Sequence, residues 1–285
     1  MMKDLGEKTV LVTGAASGIG AALARSFLTA GCKVALADID EARLRRVTSE
    51  FEHARLAARA VRLDVASEAS WALALRDVEA SFGPIDILCN NAGIGSERQP
   101  FGALSAEAWR RVFDINVHGV FNGISAVLPG MLLRGSDAHI VNTASILGHF
   151  ARPGVGEYVA AKYAVLGLSE TLRMELAGTP VGVSVLCPGL VATRIGLPPG
   201  EDENPAPVPP TQPQPGARPL GIDASGIGDA VVTAVREGRF YIFTHPEYAA
   251  LIDRRFGEIG QALASSAPLG PAEDIAYLGQ GFSRY

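Results

Sequence analysis

A serine, a tyrosine and a lysine stand close together in the middle of the sequence, in the stretch SILGHFARPGVGEYVAAK. Twelve residues separate Ser145 from Tyr158, and three separate Tyr158 from Lys162. On a helix, the latter spacing puts both side chains on one face, one turn apart. A phenol with a pKa of about 10 is protonated at neutral pH, and a neighbouring ammonium favours the phenolate. Tyr158 is therefore a candidate acid or base.

This set of residues suits the interconversion of a secondary alcohol and a ketone. As the carbon loses a hydride, Tyr158 can take the hydroxyl proton, and in the reverse direction it can act as a general acid. Ser145 can hydrogen-bond the substrate oxygen while charge develops on it. Each residue also has an ordinary role open to it, because serine caps turns, tyrosine packs its ring and lysine faces solvent. The chemical interpretation therefore requires a hydride acceptor.

A glycine-rich turn near the N-terminus offers a place for a dinucleotide. The stretch TGAASGIG places Gly14, Gly18 and Gly20 between a strand-like run and a helix-like run. Glycine lets the backbone take a positive φ and approach a pyrophosphate, and the N-terminus of the following helix favours the phosphate charge. Three glycines alone are weak evidence, but the strand before them and the helix after them strengthen the prediction.

Asp38 ends the next predicted strand and bears on which dinucleotide binds. Its carboxylate can accept hydrogen bonds from both hydroxyls of an adenosine ribose and would repel a 2′-phosphate. No arginine or lysine occupies positions 15, 16, 17 or 39, where a basic residue could bind that phosphate. The prediction is NAD rather than NADP, although Asp38 could also cap the helix that starts near Asp40.

Short apolar runs alternate with longer helical runs along the chain, which predicts an α/β fold. Predicted strands cover 9–14, 33–38, 60–65, 85–93, 139–145, 181–189 and 238–243. Predicted helices cover 21–31, 40–50, 67–82, 106–134 and 158–177. Such strands belong in a single doubly wound parallel sheet, a Rossmann fold, with helices on both faces and ligands at the carboxyl ends of the strands.

A proline-rich segment interrupts this alternation. Between residues 198 and 219, nine of 22 residues are proline, which fixes φ and removes backbone donors. The segment, about 198–222, is either a disordered insertion or a lid over the substrate, since it directly follows a strand end. One domain, 1–285, is expected to include it.

Composition argues against several other classes of protein. The net charge of −5 gives no reason to expect nucleic acid or an anionic membrane as partner. No apolar run approaches the roughly 20 residues that span a bilayer, and the charged start lacks the core of a signal peptide, so a cytoplasmic protein is expected. The cysteines form no CxxC pair. No metal site is expected, because these histidines form no spaced cluster with carboxylates: His53, His118, His139 and His245.

Together these motifs resemble the short-chain dehydrogenase/reductase family over nearly the whole chain. The matching positions are TGAASGIG at 13–20, Asp64, NNAG at 90–93, Asn116, Ser145, Tyr158, Lys162 and PGLVAT at 188–193. The resemblance implies an NAD-dependent alcohol dehydrogenase whose catalytic residues are Asn116, Ser145, Tyr158 and Lys162. It also implies that Asn116 holds a water that relays protons from Lys162, and that Lys162 binds the nicotinamide ribose.

The resemblance further implies a set of cofactor-binding residues. Asp64 and Val65 would hold the adenine. Residues 91–93 would pack against the adenosine ribose, and Val191 with Thr193 would bind the carboxamide. The full set expected to bind NAD is Gly14, Ser17, Gly18, Ile19, Gly20, Asp38, Ile39, Asp64, Val65, Asn91, Ala92, Gly93, Tyr158, Lys162, Pro188, Gly189, Val191 and Thr193.

The substrate is expected to be a small hydrophobic alcohol or ketone. The residues expected to line its site are mostly apolar: Ser145, Ile146, His149, Phe150, Tyr158, Leu190, Ile195 and Leu197. This favours a bulky aromatic or polycyclic secondary alcohol over a sugar or a phosphorylated metabolite. The tail after FYIFTHPEY is similar to that of the Cα-dehydrogenases of aryl alcohols, while steroid and terpenoid alcohols fit the same lining. In this family the strand FYIF often lies at a subunit interface, which implies a homo-oligomer, a dimer or a tetramer.

Other functions occur on the same fold. A non-catalytic NAD-binding sensor or scaffold would not need all four catalytic positions. A dehalogenase-type lyase pairs the serine and tyrosine with arginine, where this chain has Lys162. A 3-oxoacyl carbonyl reductase usually takes NADP, which Asp38 disfavours.

Overall fold

The computed structural model describes residues 2–193, residue 195 and residues 221–267. The chain divides into two compact units, Met1–His245 and Pro246–Tyr285. The first unit contains the whole described sheet. The second contains one described α-helix, so a single domain over the whole chain stays a prediction.

The strands of the described residues form one parallel sheet. They are β1 (Thr9–Thr13), β2 (Lys33–Asp38), β3 (Ala58–Arg62), β4 (Ile87–Asn90), β5 (Ala138–Thr143), β6 (Val181–Cys187) and β7 (Tyr241–Phe243). Their order across the sheet is β3-β2-β1-β4-β5-β6-β7, and every neighbouring pair is parallel. The order changes direction between β1 and β4, so the topological switch point lies at the carboxyl ends of these two strands.

Helices cover both faces of the sheet. They are α1 (Gly18–Thr29), α2 (Glu41–His53), α3 (Glu68–Phe82), α4 (Ala106–Phe113), α5 (Gly119–Arg134), α6 (Gly156–Glu175) and α7 (Ser225–Glu237). One apolar core lies between the sheet and α3, α5 and α6, and the other between the sheet and α1, α2 and α7. Strands such as β1 and β5 are buried along their whole length, which is why their sequences are continuously apolar or neutral. The predicted doubly wound Rossmann fold is confirmed.

The predicted helix 106–134 is interrupted in the middle. Asp114–His118 forms a π-helical turn between α4 and α5. Asn116, inside that turn, is fully buried. Apolar periodicity does not reveal a π turn, because such a turn adds one residue without breaking the helical rod. The segment Ala106–Arg134 is long and apolar enough to cross a membrane. Core helices of folded domains have the same length and hydropathy, and this segment packs against α3 and the sheet as such a helix does.

Two helices are absent from the sequence prediction. One is α7, and the other is α8 (Ala249–Ala264), which belongs to the second unit and has no buried residue. The proline-rich composition just before α7 gives no sequence signal for where this helix begins. No residue of α8 is buried within the described part of the chain, so its apolar residues do not follow the pattern of a core-facing helix. Leu197 and residues 198–220 lie outside the described residues.

Candidate active site

The turn between β1 and α1 is built from glycines for a steric reason. Gly14 and Gly18 have φ values of 66° and 52°, a region that side chains disfavour. A Cβ on Gly20 would overlap the carbonyl oxygen of Gly14. Ser17 precedes α1 as its N-cap, and Ile19 lies in the first turn. The result is a cradle of bare backbone at a helix N-terminus, which fits a pyrophosphate.

Two backbone donors hold the carboxylate of Asp38 in place. Its Oδ2 accepts from the N–H of Ala16 and its Oδ1 from the N–H of Asp40, both at 3.0 Å. The side chain that caps α2 is that of Asp40, which accepts from the N–H of Arg43 at 3.0 Å, so Asp38 is not the cap. Ile39, beside it, is exposed. Asp38 therefore presents a fixed negative charge next to the glycine-rich turn, which fits an adenosine ribose.

The Thr13 hydroxyl joins the ends of β1 and β4. Its Oγ1 accepts from the N–H groups of Asn91 and Ala92, both at 2.9 Å. The side-chain amide of Asn91 donates to the carbonyl oxygen of Thr13 at 3.0 Å. A Cβ on Gly14 would lie 2.8 Å from the Cα of Ala92. The NNAG turn and the glycine-rich turn are thus in direct contact.

Asp64 and Val65 follow β3 at the same edge of the sheet. The Asp64 carboxylate accepts from the N–H of Ala66 at 3.0 Å. The Val65 carbonyl accepts from the indole N–H of Trp71 at 3.0 Å and from the amide of Asn122 at 3.1 Å. These bonds fix the position of the turn, and its contact with adenine stays a prediction.

Tyr158 and Lys162 lie one turn apart at the start of α6, as their spacing predicts. The Nζ of Lys162 is 5.5 Å from the centre of the Tyr158 ring and donates to the carbonyl oxygen of Thr143 at 2.8 Å. Ser145 follows β5, and its hydroxyl lies close enough to the Tyr158 phenol to lower the pKa of that phenol. The same hydroxyl accepts from the N–H of Leu147 at 3.1 Å. The fold brings the serine, tyrosine and lysine together.

Burial acts on both ionisable side chains of this group. It lowers the pKa of Lys162 to about 8, because the ammonium loses its water. It raises the pKa of Tyr158, and the nearby Ser145 hydroxyl opposes this only in part. The expectation that Lys162 favours the Tyr158 phenolate stays a prediction. Loss of hydration disfavours the phenolate, and the Lys162 Nζ is engaged with the Thr143 carbonyl.

Asn116 clamps the chain that follows the NNAG turn. Its Oδ1 accepts from the N–H of Ile94 at 2.8 Å, and its Nδ2 donates to the Ile94 carbonyl at 3.0 Å. A Cβ on Gly93 would lie 3.2 Å from Asn116 Oδ1 and 3.8 Å from Lys162 Nζ, so the three residues adjoin. The side-chain amide is satisfied by backbone, and a water held for proton relay stays a prediction.

The segment after β6 packs against the glycine-rich turn. A Cβ on Gly18 would lie 2.9 Å from Cγ2 of Thr193. The Pro188 carbonyl accepts from the N–H of Ile146 at 2.9 Å, and Val191 is buried. The segment predicted to bind the carboxamide therefore lies beside both the nucleotide turn and the residue that follows Ser145.

The residues predicted to line the substrate site differ in exposure. Leu190 and Ile195 are 54% and 46% exposed, so their apolar surface is open to solvent in this structure. Phe150 is half-buried, and Leu197 lies outside the described residues. Contact with a substrate stays a prediction for all of them.

His149 and Ile146 are buried instead. The Nε2 of His149 lies 3.4 Å from Sγ of Cys187, and its ring centre is 5.1 Å from that of Phe243. His149 is thus packed among other side chains, the ordinary alternative for a single histidine. Among the described residues, no group of three or more His, Cys, Asp or Glu side chains is placed to hold a metal ion.

Sequence reasoning missed several residues that organise this site. Thr13 belongs to the TGAASGIG stretch, but the bonds from its hydroxyl to the NNAG turn were not predicted, and no motif indicates the Thr143 carbonyl. Glu157, next to Tyr158, is fully buried and accepts from the Ser96 hydroxyl at 2.6 Å. His245 reaches the segment after β6 from the end of β7. Its only signal is the sequence THPE directly after the last strand.

A Rossmann sheet that places a tyrosine and a lysine one helical turn apart beside its nucleotide turn is the arrangement of a nicotinamide-dependent oxidoreductase. The family model for short chain dehydrogenases matches residues 8–204. The chain therefore belongs to the short-chain dehydrogenase/reductase family, which confirms the resemblance noted in the sequence.

Relatives match the chain over almost its whole length. The 1-deoxy-11-beta-hydroxypentalenate dehydrogenase of Streptomyces exfoliatus is 32% identical over 271 residues, 94% of each chain. A short-chain dehydrogenase/reductase of Burkholderia phymatum, solved in complex with NAD, is 35% identical with a TM-score of 0.81, and the match covers 94% of this chain and 99% of that one. The apo form of LigO from Sphingobium sp. strain SYK-6 is 34% identical with a TM-score of 0.82, over 99% of this chain and 98% of that one.

Proposed function

We propose that this protein oxidises a bulky hydrophobic secondary alcohol to its ketone with NAD, and catalyses the reverse reduction. The observation that carries the proposal is the placement of Tyr158 one helical turn from Lys162, with Lys162 Nζ 5.5 Å from the Tyr158 ring, at the carboxyl edge of the sheet near Ser145. When bound, the nicotinamide ring supplies the carbon that accepts or donates the hydride.

Tyr158 is the group that moves the proton. In oxidation it takes the proton from the alcohol oxygen, and the buried Ser145 hydroxyl hydrogen-bonds that oxygen. In reduction it returns the proton to the ketone oxygen. Burial raises the pKa of Tyr158, so the phenol stays protonated at neutral pH, which suits the reductive direction. Protonated Lys162, at the adjoining turn of α6, stabilises the phenolate when oxidation requires it.

A preference for NAD over NADP is supported by Asp38. Its carboxylate cannot turn away from a 2′-phosphate without giving up the hydrogen bonds from Ala16 and Asp40. No basic residue occupies positions 15–17 or 39. A 2′-phosphate would therefore meet a fixed negative charge with no compensating cation at these positions.

The hydrophobic character of the substrate is supported by Leu190 and Ile195, which expose apolar surface just after β6. The relative named for 1-deoxy-11-beta-hydroxypentalenate acts on a hydroxylated compound, which agrees with oxidation of an alcohol. Aryl, steroid and terpenoid alcohols are the classes that we place first in a substrate panel.

The test is NADH formation from a panel of aryl, polycyclic and short aliphatic secondary alcohols, with NAD and NADP side by side. Turnover with NAD on the bulky alcohols, lost in Tyr158→Phe while NADH still binds, is the expected result. Tight NADH binding without turnover of any alcohol, or of the matching ketones with NADH, would instead favour a non-catalytic NAD-binding protein. Preferential turnover with NADP would refute the role given to Asp38.

We also propose a cytoplasmic homo-oligomer, a dimer or a tetramer. Phe121, Leu132 and Leu133, all on α5, are 57%, 42% and 90% exposed, and a group of exposed apolar side chains is typical of an interaction surface. Sedimentation equilibrium should give a mass that is a multiple of 29.8 kDa. A monomer at the concentrations used for activity would contradict this.

A further inference from the structure

The imidazole of His245 cross-links two parts of the chain that are distant in sequence. His245 follows β7 and is only 6% exposed. Its Nδ1 accepts from the backbone N–H of Gly189, and its Nε2 lies at hydrogen-bond distance from the carbonyl oxygen of Leu190, both at 3.0 Å. One side chain thus holds two consecutive residues of the segment that follows β6.

The partners of this ring fix its protonation. A backbone N–H can only donate, so Nδ1 carries no proton where it meets Gly189. A carbonyl oxygen can only accept, so the proton of the ring is on Nε2, facing Leu190. The Thr244 hydroxyl lies 2.7 Å from Nδ1 and shares the single lone pair of that nitrogen with the Gly189 N–H. His245 is therefore a neutral ring whose two nitrogens are both used.

The segment after β6 also has contacts on its other sides. The carbonyl of Pro188 is held by the N–H of Ile146. The N–H of Ala192 donates to the carbonyl of Ile222 at 2.9 Å, and the N–H of Ile222 donates to the carbonyl of Leu190 at 3.0 Å. The Ser145 hydroxyl donates to the Pro188 carbonyl at 3.5 Å, and His245 adds its side-chain contacts at Gly189 and Leu190.

We propose that His245 is a positioning residue for the nicotinamide end of the cofactor. By fixing Gly189 and Leu190, it sets the distance between Thr193 and the glycine-rich turn, where Thr193 already packs against Gly18. The inference rests on the proposed function, because it takes the segment 188–193 to bind the carboxamide. The hydrogen bonds of this ring go to Gly189 and Leu190, whereas Asp38, in the adenosine half of the site, is held by Ala16 and Asp40.

That division leads to a test with two ligands. NADH reaches the segment after β6, whereas ADP-ribose lacks the nicotinamide. Calorimetric titration of the full-length chain with each ligand compares the wild type with His245→Phe, which keeps a ring but neither hydrogen bond. We expect NADH to bind on the order of tenfold more weakly in the variant, the usual effect of losing buried hydrogen bonds, and ADP-ribose to bind as in the wild type.

Two further variants separate the two hydrogen bonds. His245→Asn keeps an amide near the position of Nδ1, where it can accept from Gly189, and His245→Gln keeps one near Nε2, where it can donate to Leu190. Each is expected to recover part of the NADH affinity, and neither should alter ADP-ribose binding. His53→Ala, at an exposed histidine of α2, is the matched control and should bind both ligands as the wild type does.

Steady-state kinetics give a second readout. A positioning role predicts that His245→Phe raises the KM for NAD much more than the KM for the alcohol. Equal weakening of NADH and ADP-ribose, or no change in either, would overturn the inference. Failure of the proposed function looks different, because the wild-type protein would then bind NADH without turnover of any alcohol or ketone, while the comparison of NADH with ADP-ribose binding would still test His245.

Discussion

The Nζ of Lys162 donates to the carbonyl oxygen of Thr143 at 2.8 Å, in the buried space between β5 and the start of α6. This carbonyl is a neutral acceptor, so it binds the amine without compensating the lost hydration of its charge. The ammonium is consequently easier to deprotonate than a lysine in water, and the pKa of Lys162 falls to about 8. A pH dependence follows for any ligand that prefers the charged form.

We expect the affinity for NADH to be constant at neutral pH and to fall above pH 8. The protonated amine is the stronger donor to the nicotinamide ribose, so binding should weaken by up to about tenfold per pH unit once the free protein loses this proton. Calorimetric titration at a series of pH values measures it. Lys162→Met should bind NADH weakly with no break near pH 8, and ADP, which lacks the second ribose, should show none. A constant wild-type affinity through pH 9 would refute this role of Lys162.

Alanine at Gly20 is expected to abolish tight cofactor binding. The new Cβ would overlap the Gly14 carbonyl and lie 2.8 Å from Nδ2 of Asn91, so the turn would have to move. A loss of about a hundredfold or more in NADH affinity is expected, since close approach of the backbone to the pyrophosphate is what this turn provides. Gly167→Ala, at an exposed position of α6 with open space around it, is the matched control. It should bind NADH normally and be more stable by about 0.5–1 kcal/mol, from helix propensity alone.

The fold and the outline of the site could be predicted because each depends on local sequence. A strand buried on both faces is rich in apolar residues, so β1 and β2 are visible as apolar runs. A turn in which a Cβ overlaps backbone must use glycine. The separation of Tyr158 from Lys162 is a property of a single helix. These patterns require no knowledge of the tertiary structure.

The remaining features depend on contacts between distant parts of the chain. His245 and Gly189 are 56 residues apart in sequence, and only the folded sheet places them together. The π turn at Asn116 is invisible to apolar periodicity. Burial raises the pKa of Tyr158. The spacing of residues along the sequence does not reveal how deeply the fold buries a phenol.

We expect Glu157 to stabilise the fold through the hydrogen bonds that its carboxyl group accepts, and not through its negative charge. Its Oε1 accepts from the Ser96 hydroxyl at 2.6 Å and from the N–H of Glu97 at 3.2 Å, while no donor among the described residues reaches the buried Oε2. Glu157→Ala leaves Ser96 and Glu97 without their acceptor, so it should lower the free energy of unfolding by about 1–3 kcal/mol. Because residues 94–97 follow the NNAG turn, the KM for the alcohol should also rise.

Glu157→Gln is the matched variant for this prediction. Its carbonyl oxygen can replace Oε1 in both hydrogen bonds, and the amide removes the negative charge from the buried position. We expect urea unfolding to show stability equal to or above that of the wild type, with an unchanged KM. If the glutamine variant were as damaged as the alanine variant, the charge itself would be the essential property.

His139 is expected to limit stability in acid. His139 is a buried residue of β5, and its Nε2 lies 2.8 Å from Oγ of Ser184 on the neighbouring strand β6. The Ser184 hydroxyl in turn donates to the carbonyl of Arg239 at 2.6 Å. The serine hydroxyl thus accepts from the ring, which is neutral. Burial lowers the pKa of His139 from 6.5 to about 4, so between these two values the unfolded chain binds a proton that the folded chain does not. The free energy of unfolding should therefore be highest above pH 6.5 and should fall as the pH drops towards 4.

The size of this effect follows from the difference between the two pKa values. Between neutral pH and the folded pKa of His139, the free energy of unfolding should fall by roughly 3 kcal/mol because of this residue. Urea unfolding of the wild type and of His139→Gln at matched pH values isolates it, because the glutamine amide can still donate to Ser184 but does not titrate. The glutamine variant should lose less stability than the wild type in this range, since all other titrating groups are shared. Parallel losses in the two proteins would assign the acid sensitivity to groups that the two proteins share, such as carboxylates.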